Sequence, residues 1–173
     1  MPEEDIKRVM DEMPYGLYII GTRDDGEVNA MMADWLMQVS FRPRLVAVSF
    51  ENDAHSLANV RATGAFSINL LSQDEDSMKL ASKFAQPYEG SKVAGRKGEE
   101  ARKVHHKLDG IEYSVSEHGC PILDAAMAWL ECEAEQFLEI GDHILVIGRV
   151  VDGRVLRDAE PLTSTYTGWT YSG

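Results

Sequence analysis

Cysteine, basic side chains and long apolar runs are all scarce in this sequence of 173 residues. The two cysteines, Cys120 and Cys132, show no metal-ligand spacing, so we interpret them as reduced thiols of a cytoplasmic protein, packed as small hydrophobic residues. Lys and Arg number 17 against 29 Asp and Glu, and the net charge of −12 argues against nucleic acid or an anionic membrane as partner. No apolar run is long enough to span a membrane, and no signal peptide opens the chain.

The common catalytic and metal-binding motifs are also missing. The chain contains no GxSxG, P-loop, HExxH or CxxC sequence. The neighbouring His105 and His106 would point in different directions on a helix, and His118 with Cys120 has no evident third ligand. We therefore expect no metal site, and we interpret these three histidines as solvated loop residues.

Short strands separated by closely spaced turns dominate the pattern. Strands are predicted at residues 15–22, 28–36, 45–50, 65–71, 126–138 and 143–151. Short helices are predicted at residues 2–13, 55–63, 77–84 and 99–106. Because Asp24-Asp25-Gly26 is a hairpin signal, the first two strands should run antiparallel. Further turns are expected at Gly141-Asp142 and Asp152-Gly153.

This pattern predicts a mainly β fold with short helices. With 44% hydrophobic residues the chain can bury a core, and we expect residues 1–173 to form a single domain. Strands at this spacing favour a closed or nearly closed antiparallel barrel. A doubly wound sheet is disfavoured because the chain has neither regular strand–helix alternation nor a glycine-rich first turn.

One stretch of the second strand is unusual. AMMADWLMQVS, residues 30–40, has the methionines and the tryptophan of a buried strand, yet Asp34 stands in its middle. Burying a carboxylate is unfavourable unless a partner compensates it. The acid at this position therefore needs an explanation other than packing.

Two other segments are placed to face a ligand, and each has a simpler alternative. Residues 52–56 follow a buried strand and open a helix, whose free N–H groups and positive dipole end suit a phosphate. The alternative is that Asn52, Asp53 or Ser56 only caps the helix. His143 follows a Gly-Asp turn and begins the strongest β run, so it faces either a cleft or solvent.

Together these segments resemble the flavin reductase-like, FMN-binding split-barrel family. The matching stretches begin with PYGLYIIGTRDDGEVNAMMADWLMQVSFRPRLVAVSF, the helix start after it, RATGAFSINLLS and LASKFA. They continue with CPILDAAMAWLECEAEQFLEIGDHILVIGRVV and a PL…Y tail. No single piece is a strong motif, but the order and spacing match over roughly residues 10–168.

The resemblance implies a six-stranded antiparallel Greek-key split barrel that forms a homodimer and holds FMN at the barrel edge, near the dimer interface. It implies hydride transfer from NADH or NADPH, the co-substrate, to a flavin, with FMN expected and FAD as the alternative. Some members release reduced flavin to a partner monooxygenase, and others keep FMN and pass electrons on. Trp35, Trp129 and Trp169 are then either core residues or anchors of the dimer interface.

The family's motifs also imply the site residues. The flavin strand and its continuation correspond here to Asn29, Met31, Met32, Ala33, Asp34, Trp35, Gln38, Val39 and Ser40. The phosphate-type helix start corresponds to Asn52, Ala54, His55 and Ser56. Phe84, which ends the LASKFA helix, is expected near the flavin. His143 is the expected catalytic residue, and it would orient the nicotinamide or donate a proton.

Two positions depart from the family pattern. The hydroxyls of its usual Thr-Ala-Ser have become Met32 and Asp34. A methionine cannot donate a hydrogen bond to a flavin. A carboxylate would repel the phosphate if it lay nearby, whereas it would accept a hydrogen bond from the pyrimidine N3–H. Main-chain N–H contacts do not depend on either side chain.

Three functions are compatible with these residues. The first is an NAD(P)H-dependent flavin reductase-like oxidoreductase. The second is an FMN-binding electron-transfer module without its own NAD(P)H activity, which is favoured by the lack of an obvious basic patch for the 2′-phosphate of NADPH. The third is a split barrel that has lost flavin, which Met32 and Asp34 motivate.

Overall fold

The computed structural model describes residues 2–171, which form one large antiparallel sheet with short helices around it. The strands are β1 (Tyr18–Asp24), β2 (Glu27–Ala33), β3 (Leu36–Phe41), β4 (Arg44–Glu51), β5 (Ala65–Leu70), β6 (Tyr113–Val115), β7 (Pro121–Leu123), β8 (Ala128–Ile140) and β9 (His143–Val155). The helices are α1 (Glu3–Asp11), α2 (His55–Thr63), α3 (Glu75–Phe84), α4 (Glu99–Arg102) and α5 (Ser164–Thr167), with a 3-10 turn at Gly90–Lys92. None of the helices within residues 2–171 has the length and hydrophobicity that crossing a bilayer requires.

Seven strands make up the large sheet, in the order β2-β1-β5-β8-β9-β4-β3, and every neighbouring pair is antiparallel. Strands β6 and β7 form a separate hairpin. The prediction of a mainly β fold with short helices is confirmed. The expected count of six strands differs from the observed seven because the second predicted strand and its continuation are interrupted at Asp34 and Trp35, which separates β2 from β3.

The strands at the two edges of the sheet, β2 and β3, follow each other directly in the chain. Only Asp34 and Trp35 join β2 to β3, yet β2 pairs with β1 at one edge and β3 pairs with β4 at the other. The Trp35 carbonyl still accepts a hydrogen bond from the Ser49 N–H at 3.0 Å, so pairing with β4 resumes at once. Because one bent strand reaches both edges, the sheet must curl until its edges meet.

The first hairpin has the geometry that its sequence predicts. Asp24 pairs with Glu27 across a two-residue turn, and β1 and β2 are antiparallel as expected. Both turn residues have positive φ, 37° at Asp25 and 94° at Gly26, as type I′ hairpin turns require. This turn fixes the register of β2 and hence the position of the bend.

The prediction of a turn at Asp152-Gly153 is wrong, because β9 continues through these residues to Val155. Gly153 instead allows two strands to lie close together. A Cβ added at Gly153 would lie 2.6 Å from Leu130 Cδ2, which is closer than carbon atoms approach. The glycine therefore serves strand packing, and its turn-forming tendency is overridden.

Helix α2 has the predicted bounds and is held firmly against the sheet. Leu57 and Val60 pack in the main core with the aromatic rings of strands β4 and β5. The Asn59 amide also donates a hydrogen bond to Thr22 Oγ1 at 3.1 Å, and Gly64, with φ of 72°, ends the helix. These contacts fix the first turn of α2 beside the bend between β2 and β3.

Helix α1 forms within the predicted range of residues 2–13, but its apolar residues are not buried. No residue of α1 is buried, and Ile6, Val9 and Met10 are all exposed. The helix was thus predicted correctly, and its apolar side chains remain largely exposed to solvent.

Candidate functional site

A cavity of about 660 Å³ opens beside the bend between β2 and β3. Its volume lies within the range of roughly 300–1,000 Å³ that is usual for small-molecule and cofactor sites. The cavity brings together twelve of the predicted site residues: Asn29, Met31, Met32, Ala33, Asp34, Trp35, Asn52, Ala54, His55, Ser56, Phe84 and His143. Residues far apart in the sequence thus meet at one place, as expected.

Three of the residues expected in the flavin wall, Gln38, Val39 and Ser40, do not line this cavity. They lie on β3, beyond the bend that turns the chain away from the cavity. Gln38 and Val39 are exposed, and the pairing with β4 is irregular between Gln38 and Ser40. The resemblance assigned them to the flavin wall as the continuation of the flavin strand, but the break at Asp34 and Trp35 separates that continuation, β3, from β2.

The start of α2 reaches the cavity without a side-chain cap. Ala54 is the N-cap residue and has no capping group, and the first turn contains no acidic residue. Ser56 Oγ accepts a hydrogen bond from the Asn29 amide at 3.0 Å instead of capping the helix. The positive end of the helix dipole is therefore uncompensated where it meets the cavity, as an anion site requires.

Aromatic rings form one end of the cavity, called here the ring end: Trp35, His143 and Tyr171. The Trp35 ring lies 4.9 Å from the His143 ring and 5.3 Å from the Tyr171 ring, both in tilted contact. The Tyr171 hydroxyl donates a hydrogen bond to Glu51 Oε1 at 2.7 Å. Burial, together with the Glu51 carboxylate, raises the pKa of Tyr171, so the phenol stays protonated and keeps this bond.

Asp34 lies at the ring end as well, half-buried in the bend. Burial raises the pKa of its carboxyl, and the main-chain N–H groups of Asp34 and Trp35 together with His143 offset that rise only in part. The carboxylate is thus under-compensated in this structure. A donor supplied by a ligand would remove that penalty.

His143 begins β9 beside Trp35, with only 12% of its side chain exposed. Its Nδ1 lies 2.6 Å from Asp142 Oδ1, and Asp142 is almost fully in solvent. The hydrogen bond with the His143 imidazole, reinforced by its electrostatic effect, lowers the pKa of Asp142. An acid at Nδ1 fixes the orientation of the ring, a role that carboxylates commonly have toward functional histidines.

The opposite end of the cavity, called here the helix end, consists of the start of α2 and part of the segment 86–107. The His55 ring stacks on Tyr88 at 3.7 Å, with the two planes 2° apart. Lys92 Nζ lies 3.0 Å from Asp53 Oδ2 and also donates to the Asp53 carbonyl. These contacts fold the segment over the first turn of α2.

Separate sets of charged groups surround the two ends. The charges that act on His55 are Asp24, Glu27, Glu89 and Lys107. Those that act on Tyr171 are Glu51, Asp34 and Asp142. The charged groups that act on the His55 side chain are thus different residues from those that act on Tyr171.

Sequence reasoning missed several residues that line the cavity, among them Ser49, Tyr88, Lys107 and Tyr171. Ser49 Oγ is buried and has no hydrogen-bond partner among the described residues. Strand alternation was the available signal for it, since Ser49 and Glu51 lie two apart on β4 and both face the cavity. Tyr88 and Lys107 belong to a polar stretch without periodicity, which gives no such signal.

Comparison with known proteins identifies relatives over nearly the whole chain. The family described as Flavin reductase like domain matches residues 10–170. A ferric-chelate reductase (NAD(P)H) of Archaeoglobus fulgidus is 32% identical over 155 residues, which cover 88% of this chain and 82% of the relative. A flavin reductase of Pseudomonas putida is 28% identical over 145 residues, which cover 83% of this chain and 75% of the relative.

Solved structures agree with the sequence comparison. The flavin reductase HpaC, solved in complex with NADP+, has a TM-score of 0.75 and 26% identity. The match covers 94% of this chain and 92% of HpaC. Because the family match spans residues 10–170 and the Archaeoglobus relative is covered over most of its length, this chain belongs to the flavin reductase-like family.

Proposed function

We propose that this protein is an NAD(P)H-dependent flavin reductase, which transfers a hydride from the nicotinamide of NADH or NADPH to a flavin. The observation that carries the proposal is the division of the cavity into an aromatic ring end and a helix end formed by the uncapped start of α2. FMN has the same division, with a flat ring system at one end and a phosphate at the other. The names of the relatives, a ferric-chelate reductase (NAD(P)H) and a flavin reductase, support the same activity.

The ring end fits an isoalloxazine. Trp35 offers a flat aromatic surface, and Met31 and Met32 offer polarizable apolar contacts. A flavin edge also carries donors and acceptors, which would satisfy the unpaired hydroxyl of Ser49. Asp34 would accept a hydrogen bond from the pyrimidine N3–H, which explains an acid at a position where relatives carry a hydroxyl.

The helix end fits a phosphate. The first turn of α2 has free N–H groups, no side-chain cap and no acid. Because Ser56 Oγ already accepts from Asn29, its own hydroxyl proton remains able to donate to a phosphate oxygen. Asp34 belongs to the other end of the cavity, so its charge does not oppose the phosphate.

In this reaction the flavin would accept the hydride, and the protein chain would bind and orient the reactants. A bound flavin supplies the hydride-accepting ring, which no amino-acid side chain provides. The chain holds the reactants in contact and excludes water at the ring end through Trp35 and Tyr171. His143, held by Asp142, orients the nicotinamide or delivers a proton beside it.

The larger assembly is part of the same proposal. Counting β2 and β3 as one bent strand gives the six-stranded split barrel of the family, formed by residues 1–173 as one domain. Two copies associate through β3, an edge strand of the described sheet whose Met37, Val39 and Phe41 are exposed. Gln38, Val39 and Ser40 then lie at the interface, and the reduced flavin passes to a monooxygenase or another electron-transfer partner.

The buried free thiols Cys120 and Cys132 agree with a cytoplasmic location.

A second candidate is an FMN-binding electron-transfer module that does not use nicotinamides itself. The acids Asp24, Glu27 and Glu89 act on His55 at the helix end, and their charge disfavours an additional phosphate such as that of NADPH. Such a module would bind FMN as tightly as the reductase but would need a protein donor.

Steady-state turnover separates these candidates. Purified protein with FMN, FAD or riboflavin should oxidise NADH or NADPH, with FMN as the preferred flavin. Flavin binding without oxidation of either nucleotide would favour the electron-transfer module. A protein that binds no flavin, as judged by a thermal shift, would contradict both.

A further inference from the structure

Acidic side chains lie around the ring end of the cavity. Asp34 and Glu51 line it, and Asp142 lies beside it through its contact with His143. Burial raises the pKa of Tyr171 at this end, and all three carboxylates raise it further, so each of them acts on the space that the Tyr171 ring covers. A ligand ring bound here would therefore lie among three acids.

The basic groups of the described cavity offset this charge only in part. His143 is the base that acts on Asp34, and its Nδ1 is already 2.6 Å from Asp142 Oδ1. The lysine and arginine side chains of the lining are not among the groups that act on Asp34 or Tyr171, and they are Arg61, Lys92 and Lys107. At the ring end one base thus stands against three acids.

The fold fixes the position of the Asp34 carboxylate. The residue lies in the two-residue connection between β2 and β3, where its carbonyl accepts a hydrogen bond from the Leu36 N–H at 3.1 Å. The next carbonyl, that of Trp35, accepts from the Ser49 N–H at 3.0 Å. The main-chain N–H groups of Asp34 and Trp35 also bond the half-buried carboxylate itself. The acid therefore keeps its place beside any ring that occupies this end.

Reduction changes the charge of a flavin ring. When a hydride passes from the nicotinamide C4 to the flavin N5, a C–H bond of the nicotinamide breaks and an N–H bond forms on the flavin. Both electrons of the broken bond go to the flavin, so the nicotinamide ring becomes a cation. The neutral oxidised flavin becomes an anion, whose charge lies on the N1 and C2=O part of the pyrimidine ring. No further reactant is needed for this balance.

Asp34 distinguishes these two forms of the ring. Its carboxylate can accept a hydrogen bond from the N3–H of the oxidised flavin, which is neutral. Since N1 and N3 belong to the same six-membered ring, the charge formed on reduction lies close to an acid bonded at N3 and is repelled by it. A hydroxyl at position 34 would accept the same bond without the repulsion.

We propose that the Asp34 carboxylate makes this protein bind oxidised flavin more tightly than reduced flavin, so that reduction itself promotes release of the product. This inference rests on the proposed flavin-binding function and adds the residue that decides whether the flavin leaves after it is reduced. The protein then uses flavin as a substrate that is exchanged in every turnover. A module that keeps its FMN through many electron transfers requires both forms to bind tightly instead.

The test measures the binding of both oxidation states of FMN to wild type and to Asp34→Asn. Anaerobic calorimetry gives the dissociation constants for oxidised FMN and for FMN reduced with dithionite. Wild type should bind reduced FMN about 10-fold more weakly than oxidised FMN, which places the two-electron midpoint potential of bound FMN about 30 mV below that of free FMN. Asp34→Asn keeps an oxygen acceptor for N3–H without the charge, so its two dissociation constants should agree within about 3-fold.

Asp34→Ser is a second neutral variant, and it should behave as Asp34→Asn does even if the asparagine variant does not fold. Asp124→Asn is the control for the loss of an acid, because Asp124 is exposed and outside the cavity. It should keep the wild-type ratio of the two dissociation constants. A spectroelectrochemical titration of bound FMN should show the same differences as shifts in midpoint potential, without any nicotinamide present.

Wild-type binding distinguishes failure of this inference from failure of the function on which it rests. A wild-type protein that binds neither oxidised nor reduced FMN contradicts the proposed function itself. A wild-type protein that binds both forms equally, or reduced FMN more tightly, contradicts only the preference inferred from Asp34. A wild-type preference for oxidised FMN that the neutral variants keep would overturn the role of the Asp34 carboxylate.

Discussion

Asp34 shows how one residue can mark both a bend and a site. Its main-chain carbonyl accepts a hydrogen bond from the Leu36 N–H at 3.1 Å, a local turn that a regular strand would not contain. Its side chain lies half-buried at the ring end, where burial holds the pKa of the carboxyl above its ordinary value. A residue that destabilises the free protein and faces a cavity is typical of a functional position.

The substitution Asp34→Asn should therefore stabilise the protein without ligand. Because the folded-state pKa lies above the unfolded value, the folded carboxylate is penalised at neutral pH, and the penalty fades as pH falls toward the unfolded pKa of about 3.9. The variant should melt a few °C higher than wild type at pH 7. The difference should shrink toward pH 4, as followed by thermal denaturation monitored by circular dichroism.

Asp124→Asn is the control for this change, because Asp124 is exposed and outside the cavity. Its melting temperature should follow that of wild type at every pH. If Asp34→Asn melted below wild type at pH 7, the carboxylate would be well compensated and the explanation by burial would be wrong.

His143 is expected to act on the nicotinamide rather than on the flavin. His143→Gln should lower kcat with NADH roughly 10- to 100-fold. It should change the dissociation constant for FMN little, because the His143 ring stands beside Trp35 at the ring end and has no charged partner at the helix end. Asp142→Asn should have a smaller effect of the same kind, since its carboxylate is exposed to solvent.

Steady-state kinetics with varied NADH and saturating FMN measure both variants. A His143→Gln enzyme with the kcat and KM of wild type would exclude a role for the imidazole. Weaker FMN binding with unchanged kcat would assign His143 to flavin binding instead.

Among the elements, those set by local chemistry were predictable from the sequence. Helix α2 has its predicted bounds because Gly64 ends it, and the first hairpin follows from Asp25-Gly26. The bend at Asp34 and Trp35 was not predictable, because an unbroken apolar run continues on both sides. The continuation of β9 through Gly153 depends on contact with Leu130, which only the folded chain supplies.

For the candidate site too, predictability from the sequence depended on whether a residue lies in a regular element. Residues that lie on strands and helix starts, such as Asn29 and Ser56, were identified by resemblance because regular elements keep their spacing. Tyr88, Lys107 and Tyr171 come from irregular segments, where tertiary contacts rather than local pattern decide which side chains reach the cavity. Lys107 in particular is recognisable only by its burial without a counter-ion.

The C-terminal segment is the element that closes the ring end. Tyr171 covers Trp35 and is tied to β4 through Glu51. Tyr171→Ala should raise the dissociation constant for FMN roughly 3- to 10-fold, mainly by faster release, because it removes an aromatic contact of about 0.5–1.5 kcal/mol. Stopped-flow fluorescence of flavin release measures this rate.

Tyr171→Phe separates the ring from its hydroxyl. It keeps the contact with Trp35 and loses only the bond to Glu51, so its release rate should fall between those of wild type and Tyr171→Ala. Release as slow from Tyr171→Ala as from wild type would show that the tail does not retain the flavin.

At the level of the whole molecule, large apolar side chains are exposed on the sheet edge β3 and on α1, and also on β6, β8 and β9. Phe41 is 84% exposed at the end of β3, and Met37 and Val39 follow the same edge. An exposed edge strand with large apolar side chains is a liability in a monomer and usual in an interface. Arg42 and Arg44 follow Phe41, so this edge is locally basic in a chain of net charge −12.

The substitution Phe41→Asp should convert a dimer to monomers at micromolar concentration, because it places an acid at the centre of the proposed interface. Size-exclusion chromatography with light scattering measures the mass directly. Val155→Asp, at an exposed apolar residue of β9, should leave the dimer intact. A wild-type protein that elutes as a monomer would overturn the dimer without affecting the site within one chain.

The claim that the cavity brings a nicotinamide and a flavin together for hydride transfer is tested most directly by anaerobic rapid mixing. Protein with stoichiometric FMN is mixed with NADH or NADPH while the flavin absorption bands are followed. Loss of those bands in a single turnover, much faster than with free FMN and slowed by His143→Gln, is the predicted result. Retention of the oxidised flavin spectrum with both nucleotides, in a protein that dithionite reduces, would contradict it.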